Sequence, residues 1–226
     1  MKEIFFTMKV HLKKHGMPGK LLVVCGTDGS GKSTVIRSIM DYLNQLPASR
    51  RRKVVYAVQP SDWWRSDARV KSTVMHMGDG PLASELAIGV FAIADRINQQ
   101  EMVIEPELRN GSFVVMDRYI YSLFSWYMAR KSPDLEYLAG CSRSLFEADM
   151  GILMDCDASV AVERVKKRDG VRSKAFDQDI SFVTDVMSAF RELARSNNLK
   201  IFSSMRSEAE MHEEAIKLMI EATARW

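Results

Sequence analysis

A glycine-rich segment that directly follows a short apolar run restricts the fold of this chain more than any other feature. Residues 21–25 read Leu-Leu-Val-Val-Cys, which is typical of a strand that is buried on both faces. The next residues, Gly26-Thr27-Asp28-Gly29-Ser30-Gly31-Lys32-Ser33, match G-x-x-x-x-G-K-[ST] at every fixed position. An amphipathic pattern over residues 32–46 follows. The sequence therefore predicts a strand, a tight loop and a helix in that order.

This loop has the chemistry of a phosphate-binding site. Its glycines allow the backbone N–H groups to curl around phosphate oxygens, and the N-terminus of the following helix adds positive potential. Lys32 is placed to reach the β- and γ-phosphates of a nucleotide, and the Ser33 hydroxyl to ligate Mg²⁺. We predict that the phosphates of a nucleotide bind to Gly26, Thr27, Asp28, Gly29, Ser30, Gly31, Lys32, Ser33 and Thr34.

The rest of the chain alternates short apolar runs with long amphipathic ones. Further strands are predicted at 54–58, 113–116 and 152–154, with a weaker one at 201–202. Helices are predicted at 32–46, 66–77, 82–109, 120–131, 134–147, 158–168, 177–196 and 207–224. This alternation predicts a parallel five-stranded sheet with helices on both faces. Ligands of such sheets bind at the carboxyl ends of the strands.

A charged pair follows the third predicted strand. Residues 113–116 are apolar and run directly into Asp117 and Arg118. A carboxylate at this sheet edge can hold Mg²⁺ or orient its waters. The arginine fork beside it can clamp a phosphoryl group during transfer. We therefore expect Asp117 and Ser33 as metal ligands, and Lys32, Asp117 and Arg118 in catalysis.

Composition excludes several other classes of protein. Lys plus Arg is 32 and Asp plus Glu is 29, a net charge of +3, and 46% of residues are apolar; this is ordinary globular usage and argues against disorder. The basic run at 50–53 precedes a strand and is interpreted as a solvated loop, so no nucleic-acid partner is expected. No apolar run approaches the roughly 18 residues of a membrane span. The three scattered cysteines fit a reducing cytoplasm.

Several motifs in register resemble those of the thymidylate kinase family of P-loop nucleoside monophosphate kinases. They are the loop at 26–34, the helix segment Phe91-Ala92-Ile93-Ala94-Asp95-Arg96, the triplet Asp117-Arg118-Tyr119, and Met154-Asp155-Cys156-Asp157 through Glu163-Arg164 to a basic stretch at 166–174. The resemblance implies a P-loop NTPase fold over residues 19–226 with a short lid at about 166–176. Residues 1–18 are then an N-terminal extension outside the core fold. It also implies ATP, Mg²⁺ and a homodimer.

The resemblance also implies roles for single residues. Asp28 would face the sugar or phosphate of the acceptor nucleotide, Arg118 would bridge acceptor and donor phosphates, and Arg96 would contact the acceptor base. Arg168 and Arg172 of the lid would close over ATP, with Arg172 supplying the catalytic cation because Gly29 stands where some members carry Arg. Two further positions are expected to bind the acceptor, namely Tyr119 in the triplet and Trp126 at a family aromatic position.

The chain departs from the family pattern around the acceptor. Ala92 stands at the base-stacking Phe position, and Phe91, one residue away, would point elsewhere on a helix that turns about 100° per residue. After the second strand the chain reads Gln59-Pro60-Ser61-Asp62-Trp63-Trp64-Arg65 instead of the family turn. Either Arg65 or Arg69 is expected to bind the acceptor phosphate. The tryptophan pair either walls the acceptor pocket or belongs to the core or an interface.

We therefore predict ATP-dependent phosphorylation of a (deoxy)nucleoside monophosphate, with dTMP converted to dTDP as the first choice. One alternative is another nucleoside monophosphate kinase or a deoxynucleoside kinase. A nucleoside 5′-hydroxyl needs a general base, however, and Gln59 stands where a glutamate would be wanted. The other alternative is a regulator that binds ATP without transferring its phosphate.

Overall fold

The structure is a computed structural model, and it describes residues 8–77, 79–169 and 179–226. Its centre is a five-stranded, all-parallel sheet in the order β2-β3-β1-β4-β5. The strands are β1 (Lys20–Cys25), β2 (Val54–Val58), β3 (Phe113–Asp117), β4 (Met150–Asp155) and β5 (Lys200–Ser203). The predicted parallel sheet is confirmed, and each strand overlaps its predicted range.

Helices surround the sheet. They are α1 (Lys32–Asn44), α2 (Asp62–Ser66), α3 (Ala68–Thr73), α4 (Glu85–Gln99), α5 (Glu105–Arg109), α6 (Ile120–Ala129), α7 (Leu135–Cys141), α8 (Ala158–Asp169), α9 (Ile180–Ser196) and α10 (Glu208–Thr223). A π-helical turn at Gln100–Ile104 joins α4 to α5, so the long helix predicted over 82–109 is one continuous helical segment from residue 85.

Alternate residues of β1 are buried in two separate layers. Leu21, Val23 and Cys25 belong to the apolar cluster that includes residues of α4, α6 and α9. Leu22 and Val24 belong to the cluster formed with α1 and α10. Successive strand side chains point to opposite faces of a sheet, so a strand covered on both faces must be apolar throughout. This explains why an unbroken apolar run marks β1.

Two predicted helices differ from the structure. The helix predicted at 66–77 is replaced by α2 and α3, because Asp67 has an extended backbone and its carboxylate accepts hydrogen bonds from the N–H groups of Arg69 and Val70 at the start of α3. The helix predicted at 134–147 ends with α7 and a 3-10 turn at Ser142–Ser144. The backbone becomes extended at Leu145, and Phe146 forms a parallel bridge with Lys13.

The N-terminal segment from residue 8 packs on the core rather than lying outside it. Met8 and Val10 are buried in the cluster that contains β1. The Asn197 amide accepts from Val10 N at 2.8 Å and donates to Met8 O at 3.0 Å. The boundary at residue 18 stays a prediction, while residues 1–7 lie outside the described part of the chain. Across the described ranges, no helix is long and apolar enough to cross a membrane.

Candidate active site

A cavity of about 960 Å³ lies at the carboxyl ends of β1, β2 and β3. In register, Asp117 of β3 stands opposite Val24 of β1 and Val58 of β2. The end of β3 is therefore fixed between the glycine-rich loop and the turn after β2. Predicted site residues that line this cavity are Thr27, Asp28, Gly29, Gly31, Lys32, Ser33, Thr34, Arg65, Ala92, Arg96, Asp117, Arg118, Trp126 and Arg168.

The glycine-rich loop has a backbone that other residues would strain. Gly31 caps α1 with φ 87° and Gly29 has φ 78°, which is the left-handed region that favours glycine. A Cβ on Gly29 would lie 2.3 Å from the carbonyl oxygen of Ala161 in α8. The loop thus curls tightly and lies directly against the helix that leads toward the predicted lid.

Lys32 is folded back over the loop. Its side chain is 7% exposed, its Nζ donates to Thr27 O at 2.7 Å, and Nζ lies 3.7 Å from the nearer carboxylate oxygen of Asp28. Burial is the main cause that lowers the pKa of Lys32 to about 8, and the positive charge of Arg118 lowers it further. An anionic ligand beside this ammonium would stabilise the charged form that burial disfavours.

Arg118 joins the end of β3 to the loop. Its backbone N–H donates to Val24 O at 2.8 Å, one guanidinium nitrogen donates to Gly26 O at 3.1 Å, and another is paired with the Asp28 carboxylate. Arg118 has φ 69°, a strained conformation for a non-glycine residue. The predicted meeting of segments 26–33 and 117–118 at one end of the sheet is thus present.

The Asp117 carboxylate has one oxygen suited to a hard cation. Its Oδ1 is buried and has no hydrogen-bond partner within the described ranges, while Oδ2 accepts from the Tyr56 hydroxyl at 3.4 Å. Ser33, in the first turn of α1, lines the same cavity. No group of three or more His, Cys, Asp or Glu residues that could hold a metal occurs in those ranges. Asp117 and Ser33 fit Mg²⁺, which binds through few protein ligands plus phosphate oxygens and water.

The structure separates the two candidate arginines for the acceptor phosphate. Arg65 lines the cavity, and its Nε donates to Pro60 O at 2.7 Å. Arg69 does not line the cavity: its side chain is 60% exposed and its guanidinium is paired at 2.8 Å with Asp67. The expectation for Arg69 is corrected accordingly, because the residue that caps α3 also holds this guanidinium away from the cavity.

The far end of the cavity is mainly apolar. Ala92, Leu123 and Trp126 line it, and Arg96 enters from α4 with its guanidinium donating to Ala92 O at 2.7 Å. Arg96 is 2% exposed, and burial lowers its pKa to about 10. Tyr119 does not line the cavity, contrary to prediction. It is buried and its hydroxyl donates to Phe146 O at 2.7 Å, so its role here is packing.

Of the neighbouring aromatic side chains on α2 and α4, some line the cavity and others do not. Phe91 points away from the cavity, as expected from the helix turn, and packs edge-on against Trp63 at 5.0 Å between ring centroids. Trp63 is 51% exposed, whereas Trp64 is 9% exposed and lines the cavity. Of the tryptophan pair, only Trp64 therefore contributes to the wall.

Two functional candidates had no predicted role. Tyr56 of β2 lines the cavity and contacts Asp117. Its position near the carboxyl end of a predicted strand could have indicated that it lies at the site. Arg164 of α8 donates to Gly29 O at 3.3 Å and to Ser204 O at 3.1 Å. It thereby joins the loop to the segment after β5. Arg172 and residues 170–176 of the predicted lid lie outside the described residues.

Comparisons with a family model and with known proteins indicate the same family. A family model described as thymidylate kinase matches residues 24–215. The chain is 28% identical over 203 residues to the probable thymidylate kinase of Thermococcus onnurineus, covering 88% of this chain and 96% of that protein. It is 31% identical over 181 residues to the probable thymidylate kinase of Methanococcoides burtonii (78% and 81% coverage). The thymidylate kinase of Mesoplasma florum is 24% identical over 210 residues (91% and 97% coverage).

Proposed function

The chain belongs to the thymidylate kinase family, and from this premise we propose that it transfers the terminal phosphoryl group of ATP to dTMP, giving ADP and dTDP. One observation carries the proposal. Arg118 touches the glycine-rich loop at Gly26 and Asp28, and it lines the same cavity as Arg65 and Arg96. One cavity can therefore hold a donor triphosphate and an acceptor monophosphate side by side.

The proposed reaction needs positioning and charge neutralisation rather than covalent catalysis. The loop N–H groups and Lys32 hold the donor phosphates, and Arg65 and Arg118 orient the acceptor phosphate. An acceptor phosphate oxygen forms the new bond to the γ-phosphorus, and the bond from that phosphorus to the β–γ bridging oxygen breaks. Since the acceptor oxygen is already ionised, no general base is required. When bound by Asp117 and Ser33, Mg²⁺ neutralises charge on the triphosphate.

The lid arginines complete the proposal. Arg168 lines the cavity from the end of α8, and we assign it to ATP. Arg172 keeps its proposed role as the catalytic cation, because a side chain at position 29 would collide with Ala161, so an arginine at that position of the loop does not fit here. Closing this region over ATP would exclude water and limit hydrolysis.

A deoxynucleoside kinase is less well supported by the same residues. A neutral 5′-hydroxyl acceptor needs a base within hydrogen-bond reach. Gln59 is buried, carries an amide that cannot accept a proton at neutral pH, and does not line the cavity. A charged acceptor that needs no base is the better match to this site.

The test is a panel of nucleosides and nucleoside monophosphates incubated with γ-labelled ATP and Mg²⁺. We expect label in dTDP, and no label transfer to thymidine. Arg118→Ala should lower the rate of product formation at least about 100-fold, whereas Arg69→Ala, the loss of an exposed arginine outside the cavity, should not. Phosphorylation of thymidine but not of dTMP would favour a deoxynucleoside kinase. Stoichiometric ATP binding without transfer to any monophosphate would favour the alternative of a regulator that binds ATP without transferring its phosphate.

We also propose that the enzyme is a cytoplasmic homodimer that binds neither nucleic acid nor membranes. Apolar side chains along residues 82–104, which include α4 and the π-helical turn, are exposed, including Leu82 at 77% and Met102 at 71%. Burying them against a second copy would remove apolar surface from water. Light scattering should give twice the chain mass, and Met102→Glu should shift the protein toward a monomer. A monomeric wild-type protein would contradict this part of the proposal.

A further inference from the structure

Asp95 of α4 is a buried carboxylate that does not line the cavity. Its Oδ2 accepts from the Ser61 N–H at 2.9 Å, and its Oδ1 accepts from the Ser61 hydroxyl. A buried carboxylate is costly unless donors satisfy its oxygens. Within the described ranges both of its hydrogen bonds come from Ser61, so this pair joins α4 to the segment after β2.

Ser61 fixes the start of the short helix α2. It is the N-cap of α2, with an extended backbone, and its hydroxyl accepts from Trp63 N at 3.2 Å. Its carbonyl oxygen accepts from Arg65 N at 3.1 Å in the first turn. An N-cap side chain sets where a helix begins, and the five residues of α2 are too few to be stable without tertiary contacts. The bonds to Asp95 therefore orient both the capping hydroxyl and the turn that follows it.

Arg65 lies at the other end of this turn, and its side chain lines the cavity. Its guanidinium Nε donates to Pro60 O at 2.7 Å, and Pro60 directly precedes Ser61. The backbone and the guanidinium of Arg65 are thus both held by residues 60–61, which Asp95 in turn holds against α4. A shift of about 1 Å in a group that positions a substrate can lower a rate about 100-fold.

We infer that Asp95 is a positioning residue: by holding Ser61 it fixes the start of α2 and thereby places the Arg65 guanidinium at the acceptor phosphate. This inference rests on the proposed function, which assigns the acceptor phosphate to Arg65. A second route has to be separated from it, since Asp95 directly precedes Arg96. Burial lowers the pKa of Arg96 to about 10, and the charge of Asp95 opposes that shift. Removing the Asp95 charge also alters Arg96, whereas removing the Ser61 hydroxyl leaves that charge in place.

The main experiment compares Asp95→Asn with the wild type in equilibrium binding of dTMP and of thymidine, measured by calorimetry without ATP. The amide has the shape of the carboxylate but only one acceptor oxygen. Thymidine lacks the phosphate, so its binding does not depend on Arg65. We expect dTMP to bind about tenfold more weakly and thymidine to change by less than about twofold. In steady-state kinetics the KM for dTMP should rise about tenfold, with the KM for ATP unchanged.

Three further measurements separate this role from a general loss of structure. Ser61→Ala keeps the Asp95 charge and should weaken dTMP about threefold without changing thymidine. Asp149→Asn is the matched control, because its Oδ2 accepts from Leu21 N at 2.8 Å at the amino end of β1, and it should change neither affinity. In Arg65→Ala protein, adding Asp95→Asn should weaken dTMP by less than about twofold more, because the positioned group is gone.

Equal weakening of dTMP and thymidine by Asp95→Asn would overturn the inference, because it would assign Asp95 to Arg96 or to general stability. Unchanged dTMP affinity would also overturn it, as would an undiminished effect in Arg65→Ala protein. If Asp95→Asn does not fold, Ser61→Ala decides: a loss confined to dTMP supports the inference, and any other result overturns it. Selective loss of dTMP binding, without phosphoryl transfer from ATP in the wild type, would support the inference while contradicting the proposed kinase activity.

Discussion

The two ends of the cavity are lined by different kinds of side chain. At the proposed phosphate end, Lys32, Arg118 and Arg164 all make hydrogen bonds to carbonyl oxygens of the chain itself. At the proposed acceptor end, Arg65 and Arg96 also donate to carbonyl oxygens, but the wall around them is apolar and aromatic, with Ala92, Leu123 and Trp126. Positive charges therefore converge at the first end, whereas apolar contact dominates the second. Activity should depend most on the first, and substrate choice on the second.

The largest expected effect is at the phosphate end. Lys32→Ala or Arg118→Ala should each lower kcat/KM for phosphoryl transfer about 100- to 1,000-fold, because each removes a positive charge aimed at phosphate in a largely buried site. Steady-state kinetics with ATP and dTMP measure the loss. Circular dichroism should show that both variants remain folded. Near-normal turnover in either variant would contradict the assignment of this end.

The next largest effect should distinguish the two arginines of the segment after β2. Arg65→Ala should raise KM for dTMP about 10- to 100-fold, since it removes a charged hydrogen bond to the acceptor phosphate. Its effect on KM for ATP should be small. Arg69→Ala removes the same side chain outside the cavity and should change both values by less than about twofold. Equal effects of the two substitutions would contradict the conclusion that Arg65, and not Arg69, binds the acceptor phosphate.

A glycine pair tests how closely the loop is packed. Gly29→Ala adds a methyl group both at positive φ and against Ala161 O, whereas Gly111→Ala adds one at φ 80° with no atom within 4 Å. Gly111→Ala should cost only about 1 kcal/mol of unfolding free energy from backbone strain. Gly29→Ala should cost more and weaken ATP binding about tenfold. Denaturant unfolding and calorimetry measure these effects, and indistinguishable variants would show that the close approach is unimportant.

The smallest expected effect is a pH dependence of ATP binding. Lys32 has a pKa lowered to about 8 by burial, so in the free protein it loses its proton as pH rises from 7 to 9. The neutral amine no longer attracts phosphate, and the Kd for ATP should rise over this range by up to about tenfold. Lys32→Ala should flatten the profile. An affinity for ATP that increases as pH rises would contradict this prediction.

Much of the local structure around the glycine-rich loop could be predicted because its residues are contiguous. The strand, loop and helix of residues 20–44 form one local unit, and an apolar run that meets Asp117 marks the neighbouring strand end. Elsewhere, prediction failed where a side chain had two available environments. Asp67 both divides the predicted helix and pairs with Arg69, and Tyr119 turned inward to Phe146. Composition does not reveal which environment a side chain will occupy.

The sequence by itself determined the parallel α/β architecture, the glycine-rich loop and the acid–arginine pair at the end of β3, because local spacing and burial on both faces of a strand encode them. Only the tertiary structure decided that Arg65 rather than Arg69 lines the cavity, and that Trp64 rather than Trp63 forms its wall. It also placed Tyr56 beside Asp117. These outcomes depend on contacts between elements distant in sequence, where packing and the nearest available hydrogen-bond partner decide which of two similar side chains faces the ligand.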